Sequence, residues 1–343
     1  MANPSKVLLT GVTGFLGSHT TIQLLNKGYE VLGTLRNMKR AEEIKAVIAQ
    51  HTDQIEQLHF AEADLTDASA WEKLMQGVDY VQHIASPFPR VLPKNEEKLI
   101  GPAKNGTLNV LKAAAKRGVK RVVLTSSTGA IVYGRPKSQR SGTYTERDWT
   151  DEHNKSDSTP YFRSKTIAEK AAWEFIEKDT SGMELAVICP GAILGPVLEK
   201  DFGTSANIVI KTMDGSSPAL PKLGFPMVDV RSVADLQIRA MESPKAAGER
   251  FAATAGYHSF KEVAAILKAA YPSRKIPSAT LPNFAVRLFA KLDPTLGPIL
   301  IDLGVERKVS NAKAKEVLDW QPIDNKEAIL ACAKSVFEQG ILK

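Results

Sequence analysis

Hydrophobic and polar positions along this chain follow two periods in turn. Short unbroken runs of β-forming apolar residues, as in strands buried on both faces, give way to segments whose apolar residues return every three or four positions, as on one face of a helix. The first run is Val7–Leu9; Gly11, Gly14 and Gly17 follow, and a helical pattern of Phe15, Leu16, Ile22, Leu24 and Leu25 stops at Gly28. Further strands are predicted at Tyr29–Leu35, Leu58–Ala63, Tyr80–Ala85, Arg121–Thr125 and Leu185–Ile188. Between them lie helices over about Lys39–Gln50, through Trp71 to Met75, from Asn95 to Gly118 with a kink at Pro102, and from Pro160 through Phe175. The Asn95 helix carries Glu96 and Glu97 in its first turn and Lys116 and Arg117 in its last, the charge order a helix dipole favours. This alternation predicts an α/β fold, a Rossmann-type doubly wound parallel sheet with right-handed crossovers.

Beyond Pro190 the rhythm breaks. Glycine and proline become frequent and the elements shorten, which predicts a smaller C-terminal α+β lobe. Met227–Val233 reads as a return strand and Ala234–Met241 as a helix, with further helices near Phe260–Ala270, Pro282–Leu292 and Lys326–Gln339. The expected division is a dinucleotide-binding domain of residues 1–191 plus about 228–248, and a substrate-binding lobe of about 192–227 and 249–343. Residues 133–158 are polar and turn-rich and read as a surface loop near the site.

Composition narrows the class without naming it. With 343 residues, 43% hydrophobic and 24% charged, the chain is ordinary for a globular protein. Its formal charge of +7 invites a nucleic-acid partner. Lysine and arginine are nevertheless spread along the whole length, with short clusters such as Lys116, Arg117, Lys120 and Arg121 and no aromatic-interleaved stripe, so solvated faces are expected and no nucleic acid. Cys189 and Cys332, two cysteines far apart in sequence, cannot by themselves make a disulfide framework or a metal site, and the six histidines lack metal-ligand spacing, so no metal is expected. The run Leu185–Leu198 is broken by Pro190, Gly191, Gly195 and Pro196 and is too short to span a bilayer, and residues 1–6 hold no signal peptide. A reduced, cytoplasmic protein without a membrane segment is expected, with monomer and homodimer both open.

The candidate chemistry begins at the first strand-to-helix turn. Strand, glycine turn and helix in that order form a dinucleotide-binding fingerprint, in which the glycines allow a tight turn, close approach of backbone to pyrophosphate, and close helix–strand packing. The pyrophosphate is expected on the free N–H groups of the helix N-terminus, among Gly11, Thr13, Gly14, Phe15, Leu16 and Gly17. An NAD site places an acid at the end of the second strand; here Arg36 stands there, with Lys39 and Arg40 nearby and no acid before Glu42. A guanidinium suits a 2′-phosphate through charge-assisted bidentate contacts, so NADP(H) is the expected cofactor.

Tyr161 and Lys165 stand four apart in a helical pattern and share a face. A lysine ammonium one turn away favours the phenolate, so a lowered tyrosine pKa is expected, bringing it toward an acid/base range usable at neutral pH. Ser127, at the C-terminal end of the fifth strand, lies where such sheets bind ligands, although a turn serine there, Ser126 included, has a capping role open to it.

Together with the glycine motif, these residues match the extended short-chain dehydrogenase/reductase family. The segments LTSSTGA, YFRSKTIAEKAAWEF and CPGAILGP resemble its dihydroflavonol 4-reductase group, which includes microbial NADPH-dependent aldehyde and ketone reductases; the resemblance runs from residue 6 to about 270. It implies Ser127 as carbonyl-orienting residue, Tyr161 as proton donor, and Lys165 as the group that lowers the tyrosine pKa and binds the nicotinamide ribose. It also implies Asp64 and Leu65 at the adenine, Ala85 and Ser86 along the cofactor, and Pro190 near the nicotinamide. Plant flavonoid reductases carry an asparagine five residues after the catalytic serine; Val132 stands here, against a polyhydroxylated flavonoid. The segment Leu281–Gly304 differs from the plant enzymes as well.

The expectation is therefore reduction of a small-molecule aldehyde or ketone to an alcohol. Three rivals share parts of the pattern. A nucleotide-sugar epimerase or dehydratase, or a 3-beta-hydroxysteroid-type dehydrogenase, would use the same extended fold, but the first usually holds NAD, against which Arg36 argues. An NADP-sensing binding protein would commonly have lost the tyrosine or the lysine, and both are present.

Overall fold

The first strand shows why the sheet forms. In a computed structural model that describes residues 4–87, 93, 95–200, 202–292 and 294–343, β1 (Lys6–Thr10) sends Val7 and Leu9 into one hydrophobic core and Leu8 into another. Successive side chains of a strand point to opposite faces, so an all-apolar strand needs cover on both. The cover comes from α1 (Phe15–Asn26) and the helices that follow each strand. These are β2 (Glu30–Leu35), α2 (Ala41–Ala49), β3 (Leu58–Glu62), α3 (Ala68–Leu74), β4 (Tyr80–His83), α4 (Glu97–Lys116) and β5 (Arg121–Thr125). After β6 (Gly142–Tyr144) come α5 (Pro160–Lys178), β7 (Glu184–Pro190), β8 (Ala192–Leu194), α6 (Asn207–Met213), β9 (Gly224–Asp229), α7 (Val230–Glu242) and β10 (Arg250–Ala253). The chain ends with β11 (Tyr257–Ser259), α8 (Phe260–Ala270), α9 (Asn283–Leu292), β12 (Arg307–Val309), α10 (Ala312–Leu318) and α11 (Asn325–Glu338).

Seven strands form one parallel sheet in the order β3-β2-β1-β4-β5-β7-β10. The order reverses beside β1, the switch point at which such sheets bind ligands. This is the doubly wound parallel α/β fold that the alternation predicted. A three-stranded sheet, β11-β9-β8, and a third core shared by α6, α8 and α11 make the smaller α+β part.

Three expectations need correction. The return strand expected over Met227–Val233 divides: Met227–Asp229 closes β9 of the small sheet, while Val230–Val233 opens α7. Asp229 switches the chain to helix by accepting the Arg231 N–H at 2.8 Å as an N-cap. The last strand of the main sheet is instead Arg250–Ala253, paired with Val187–Pro190, within the segment assigned to the lobe. Its four residues are buried throughout and so show no alternation to read.

The polar segment 133–158 is not simply a surface loop. Its β6 pairs with β12, and its fully buried Asp157 takes the Arg307 guanidinium at 2.5 Å while Asp302 accepts from the same arginine at 3.0 Å. Tyr133 lies under that guanidinium, 4.5 Å from its ring centre, and donates to Asp302. Asp157 and Tyr133 thus meet partners 150 and 169 positions away, while residues 136–139 and 141–143 stay exposed. At α4, helix geometry continues through Pro102, and the Asn95 carboxamide accepts the Glu97 N–H at 3.0 Å.

Candidate active site

The glycine turn is shaped by backbone contacts. The N–H groups of Gly11 and Val12 both donate to the Thr34 carbonyl, at 3.1 and 3.2 Å, which folds the turn back against β2. Gly11 adopts φ +77°, a region that favours glycine. At Gly17 an added Cβ would lie 2.1 Å from the Gly11 carbonyl oxygen, so helix and turn touch there through glycine alone. Gly14 differs: an added Cβ would meet only the Gly11 carbonyl, at 3.4 Å. Gly14 is also the N-cap of α1, where no side chain caps the first turn and no acid lies in it. An open cradle before an uncapped helix N-terminus fits a pyrophosphate. The side chain of Leu16 enters the core and the Phe15 ring packs edge-on against His19, so these two residues can serve such a ligand through their backbone N–H groups.

Thr10 and His83 were missed in the sequence. The Thr10 hydroxyl oxygen accepts N–H bonds from Ile84 at 3.0 Å and Ala85 at 2.9 Å, and lies 2.9 Å from His83 Nδ1. Having accepted twice, its one proton goes to Nδ1, which makes His83 the Nε2–H tautomer. Burial, with the Lys165 charge nearby, holds His83 down at about 3, so it stays neutral. Ala85 and Ser86, half-buried just after β4, are thereby fixed beside the turn, and Ala85 closes on Gly11.

At the end of β2, Arg36 and Lys39 are exposed. Arg40 is engaged by Glu199 at 2.8 Å and Glu43 at 3.3 Å. Asp64 is exposed, and its carboxyl is held below its ordinary range by the Thr66 hydroxyl and N–H, with Arg36 contributing from nearby. The Leu65 carbonyl accepts from Asn109 at 2.9 Å. Pro190 is buried at the end of β7.

On the other side of the switch point, α5 begins with Pro160 after Thr159, whose hydroxyl accepts the Phe162 N–H at 3.3 Å. Its first turn brings Tyr161 to the Ser127 hydroxyl, and its second brings Lys165 to the Thr125 carbonyl, 3.1 Å from Nζ. The two serines take opposite directions, as neighbours at a strand end do. Ser126 turns inward to Glu169, at 2.5 Å, while the Ser127 Oγ faces Tyr161 and accepts the Gly129 N–H at 2.9 Å. Ser127 therefore caps a turn and also meets the phenol.

The electrostatics run against one expectation. The Tyr161 phenol is raised above its ordinary pKa rather than lowered: burial opposes the phenolate, and the Ser127 hydroxyl only partly offsets it. Lys165 is itself pulled down to about 8 by burial, against raising contributions from Cys189 and Glu169, and its ammonium is turned to the Thr125 carbonyl. Among the described residues, no group of three or more His, Cys, Asp or Glu side chains could hold a metal ion, and no helix is long and apolar enough to cross a membrane.

Known proteins place this architecture in a family. The NAD dependent epimerase/dehydratase family matches residues 7–252. Cinnamoyl-CoA reductase 1 of Arabidopsis thaliana is 34% identical over 345 residues, covering 100% of this chain and 92% of that protein. Cinnamoyl-CoA reductase CAD2 of Medicago truncatula is 33% identical over 277 residues, 79% of this chain and 82% of its own length. Among solved structures, yeast methylglyoxal/isovaleraldehyde reductase Gre2, complexed with NADPH, superposes with a TM-score of 0.81 at 26% identity, covering 98% of this chain and 99% of that one. The chain belongs to the NAD dependent epimerase/dehydratase family of extended short-chain dehydrogenases/reductases, and within it to the dihydroflavonol-reductase-like group of reductases.

Proposed function

We propose that this protein reduces an aldehyde or ketone to an alcohol with NADP(H) as cofactor, and that Ser127, Tyr161 and Lys165 form its catalytic group. The observation that carries the reading is the Tyr161 phenol beside the Ser127 hydroxyl at the C-terminal end of β5, with Lys165 one turn further along the same helix. The reduced nicotinamide, when bound, supplies the hydride. Ser127 and Tyr161 present two hydroxyl donors to a carbonyl oxygen, so negative charge developing there meets groups already in place. Burial keeps the Tyr161 phenol protonated at neutral pH, the state a proton donor needs for reduction. Lys165, one turn further along the helix, would supply the charge that stabilises the phenolate once the proton has left.

The glycine turn, Ala85, Ser86 and Pro190 would hold the dinucleotide, with Asp64 and Leu65 toward its adenine. Arg36, with Lys39, would meet a 2′-phosphate. Both relatives named above are cinnamoyl-CoA reductases, and the superposed yeast enzyme is a methylglyoxal/isovaleraldehyde reductase complexed with NADPH; these support a carbonyl substrate and this cofactor. Val132 is buried in the core and offers no polar grip for flavonoid hydroxyls, which favours a small, less hydroxylated carbonyl. The residues around β8, β9 and α6, with those after β10, would wall the substrate pocket. We place the protein in the cytoplasm, in keeping with two buried unpaired thiols.

Tyr161→Phe tests the reading. Reduction of aldehydes with NADPH should fall by about 10²–10⁴-fold while NADPH still binds, because general acid catalysis is removed and the ring remains. Unchanged reduction by this variant would sink the assignment.

A further inference from the structure

Three successive residues at the end of β5 each engage one of three α5 residues spaced four apart. Ser127 meets Tyr161, the Thr125 carbonyl accepts from Lys165 at 3.1 Å, and Ser126 donates to Glu169 at 2.5 Å. The first two of these helix residues belong to the catalytic group; the third has no role in the reading above. Glu169 is 1% exposed, an extreme for a carboxylate, and such burial is tolerated only when the charge is paired and hydrogen-bonded. Its partners come from four elements. Arg250 of β10 pairs with it at 2.5 Å, Ser126 follows β5, Cys189 of β7 lies 3.9 Å away, and Trp173 of α5 donates to it at 3.4 Å. Arg250 is in turn held by the Glu146 and Asp148 carbonyls and stacked 3.6 Å from the Trp149 ring centre.

We propose that Glu169 is a positioning residue of the reductase: its buried carboxylate, locked by Ser126 and Arg250, sets the register of α5 against β5 and supplies the negative charge that keeps Lys165 an ammonium. The proposal rests on the catalytic group named above. The geometry supports both halves. Ser126 immediately precedes Ser127, so anchoring its hydroxyl to Glu169 fixes the strand end from which Ser127 faces Tyr161. Glu169 stands one turn from Lys165 on the same helix face, where i and i+4 side chains are neighbours.

Around Lys165, β4 supplies His83, held neutral, β5 the Thr125 carbonyl, β7 Cys189, and α5 Glu169 one turn along. Burial alone pulls Lys165 down, to about 8 in all, while Cys189 and Glu169 raise it. The Cys189 thiol is itself pushed up to about 12 by burial and the Glu169 charge, so near neutral pH it is uncharged. Glu169 is then the anion among these groups. Arg250, paired with Glu169 at 2.5 Å, compensates the carboxylate without removing it.

The test follows Lys165 directly. The protein, labelled with [6-13C]lysine, is titrated by NMR without cofactor, the Lys165 signal being identified by its loss in Lys165→Arg. In Glu169→Gln the Lys165 titration should move about one pH unit lower, the scale of a neighbouring unit charge, and in Glu169→Asp it should return most of the way. The high-pH fall of kcat/KM for NADPH-dependent aldehyde reduction should move in step. A folded Glu169→Gln protein whose Lys165 titration and pH profile match the wild type overturns the proposal. Should that variant fail to fold, the same titration compares Glu169→Gln/Arg250→Gln with Arg250→Gln alone, so that the carboxylate is the one charge that differs; an unchanged Lys165 between the two, or loss of the fold in all of these variants, makes Glu169 a purely structural residue. Failure of the functional reading shows separately: a wild-type protein that reduces no carbonyl, while Lys165 still shifts, leaves the linkage standing and removes the reaction.

Discussion

The Thr10 hydroxyl and the His83 ring share a buried 2.9 Å hydrogen bond that joins β1 to β4 directly beneath the glycine turn. Because the same oxygen accepts the Ile84 and Ala85 N–H groups, one side chain holds the segment that faces Gly11. Thr10→Val keeps the shape and removes the hydroxyl, leaving two N–H donors and Nδ1 without a partner. The expected cost is about 1–3 kcal/mol of stability, a drop of several degrees in Tm, together with weaker dinucleotide binding. Thermal denaturation and a cofactor titration check this; an unaltered Tm and Kd would show that the bond holds nothing.

The glycine turn allows a contrast within one motif. Gly14→Ala should fold normally, because its Cβ meets one atom at 3.4 Å and its φ of −86° suits alanine, yet it should bind dinucleotide at least about tenfold more weakly by filling the cradle. Gly17→Ala should lose stability outright, because its Cβ would sit 2.1 Å from a backbone oxygen that cannot rotate away. Equal effects of the two on Tm would contradict this reading of the turn.

Cofactor choice is expected to rest on Arg36. Replacing it with Glu removes a guanidinium and adds a charge that repels a phosphate. NADPH affinity should fall about 10–100-fold, the range of a charged hydrogen bond, while NADH affinity changes much less. Paired Kd measurements for the two cofactors decide it. A parallel loss for both would place Arg36 away from the 2′-phosphate.

Two buried histidines predict an acid limb of stability. Burial lowers His19 to about 4, against a raising hydrogen bond with the Pro196 carbonyl, and lowers His83 to about 3. Both are neutral in the folded chain, whereas in the unfolded chain each takes up a proton below about pH 6.5. The unfolded state then binds more protons, so the stability present above that pH is lost as pH falls toward 4, by on the order of 3 kcal/mol for each fully buried group. Urea unfolding across this interval should show the loss, and His19→Gln, which can still donate to Pro196, should show a shallower slope. An identical slope in the variant would mean that His19 does not titrate this way.

Much of the fold was legible in the order of apolar runs. Strands such as Arg121–Thr125 announce themselves because both faces are covered, and Tyr161 and Lys165 share a face by helical period alone. Arg250–Ala253 was harder to see, since four buried residues without alternation resemble any apolar stretch. The segment 133–158 looked like a solvated loop because the partners of Asp157 and Tyr133, Arg307 and Asp302, lie 150 and 169 residues away.

Residue order by itself determined the parallel sheet, the glycine turn, the arginine at the end of the second strand, and the serine, tyrosine and lysine that make a site plausible, since these depend on local periodicity and on residue type. Only the tertiary structure decided that Ser126 faces Glu169 while Ser127 faces Tyr161, that Thr10 sets the His83 tautomer, and that burial raises the Tyr161 phenol where neighbouring charge alone suggested a fall. The physical reason is the same in each case. Direction at a strand end, hydrogen-bond partnership and desolvation all depend on what lies across space, and the groups concerned come from strands and helices far apart in the chain.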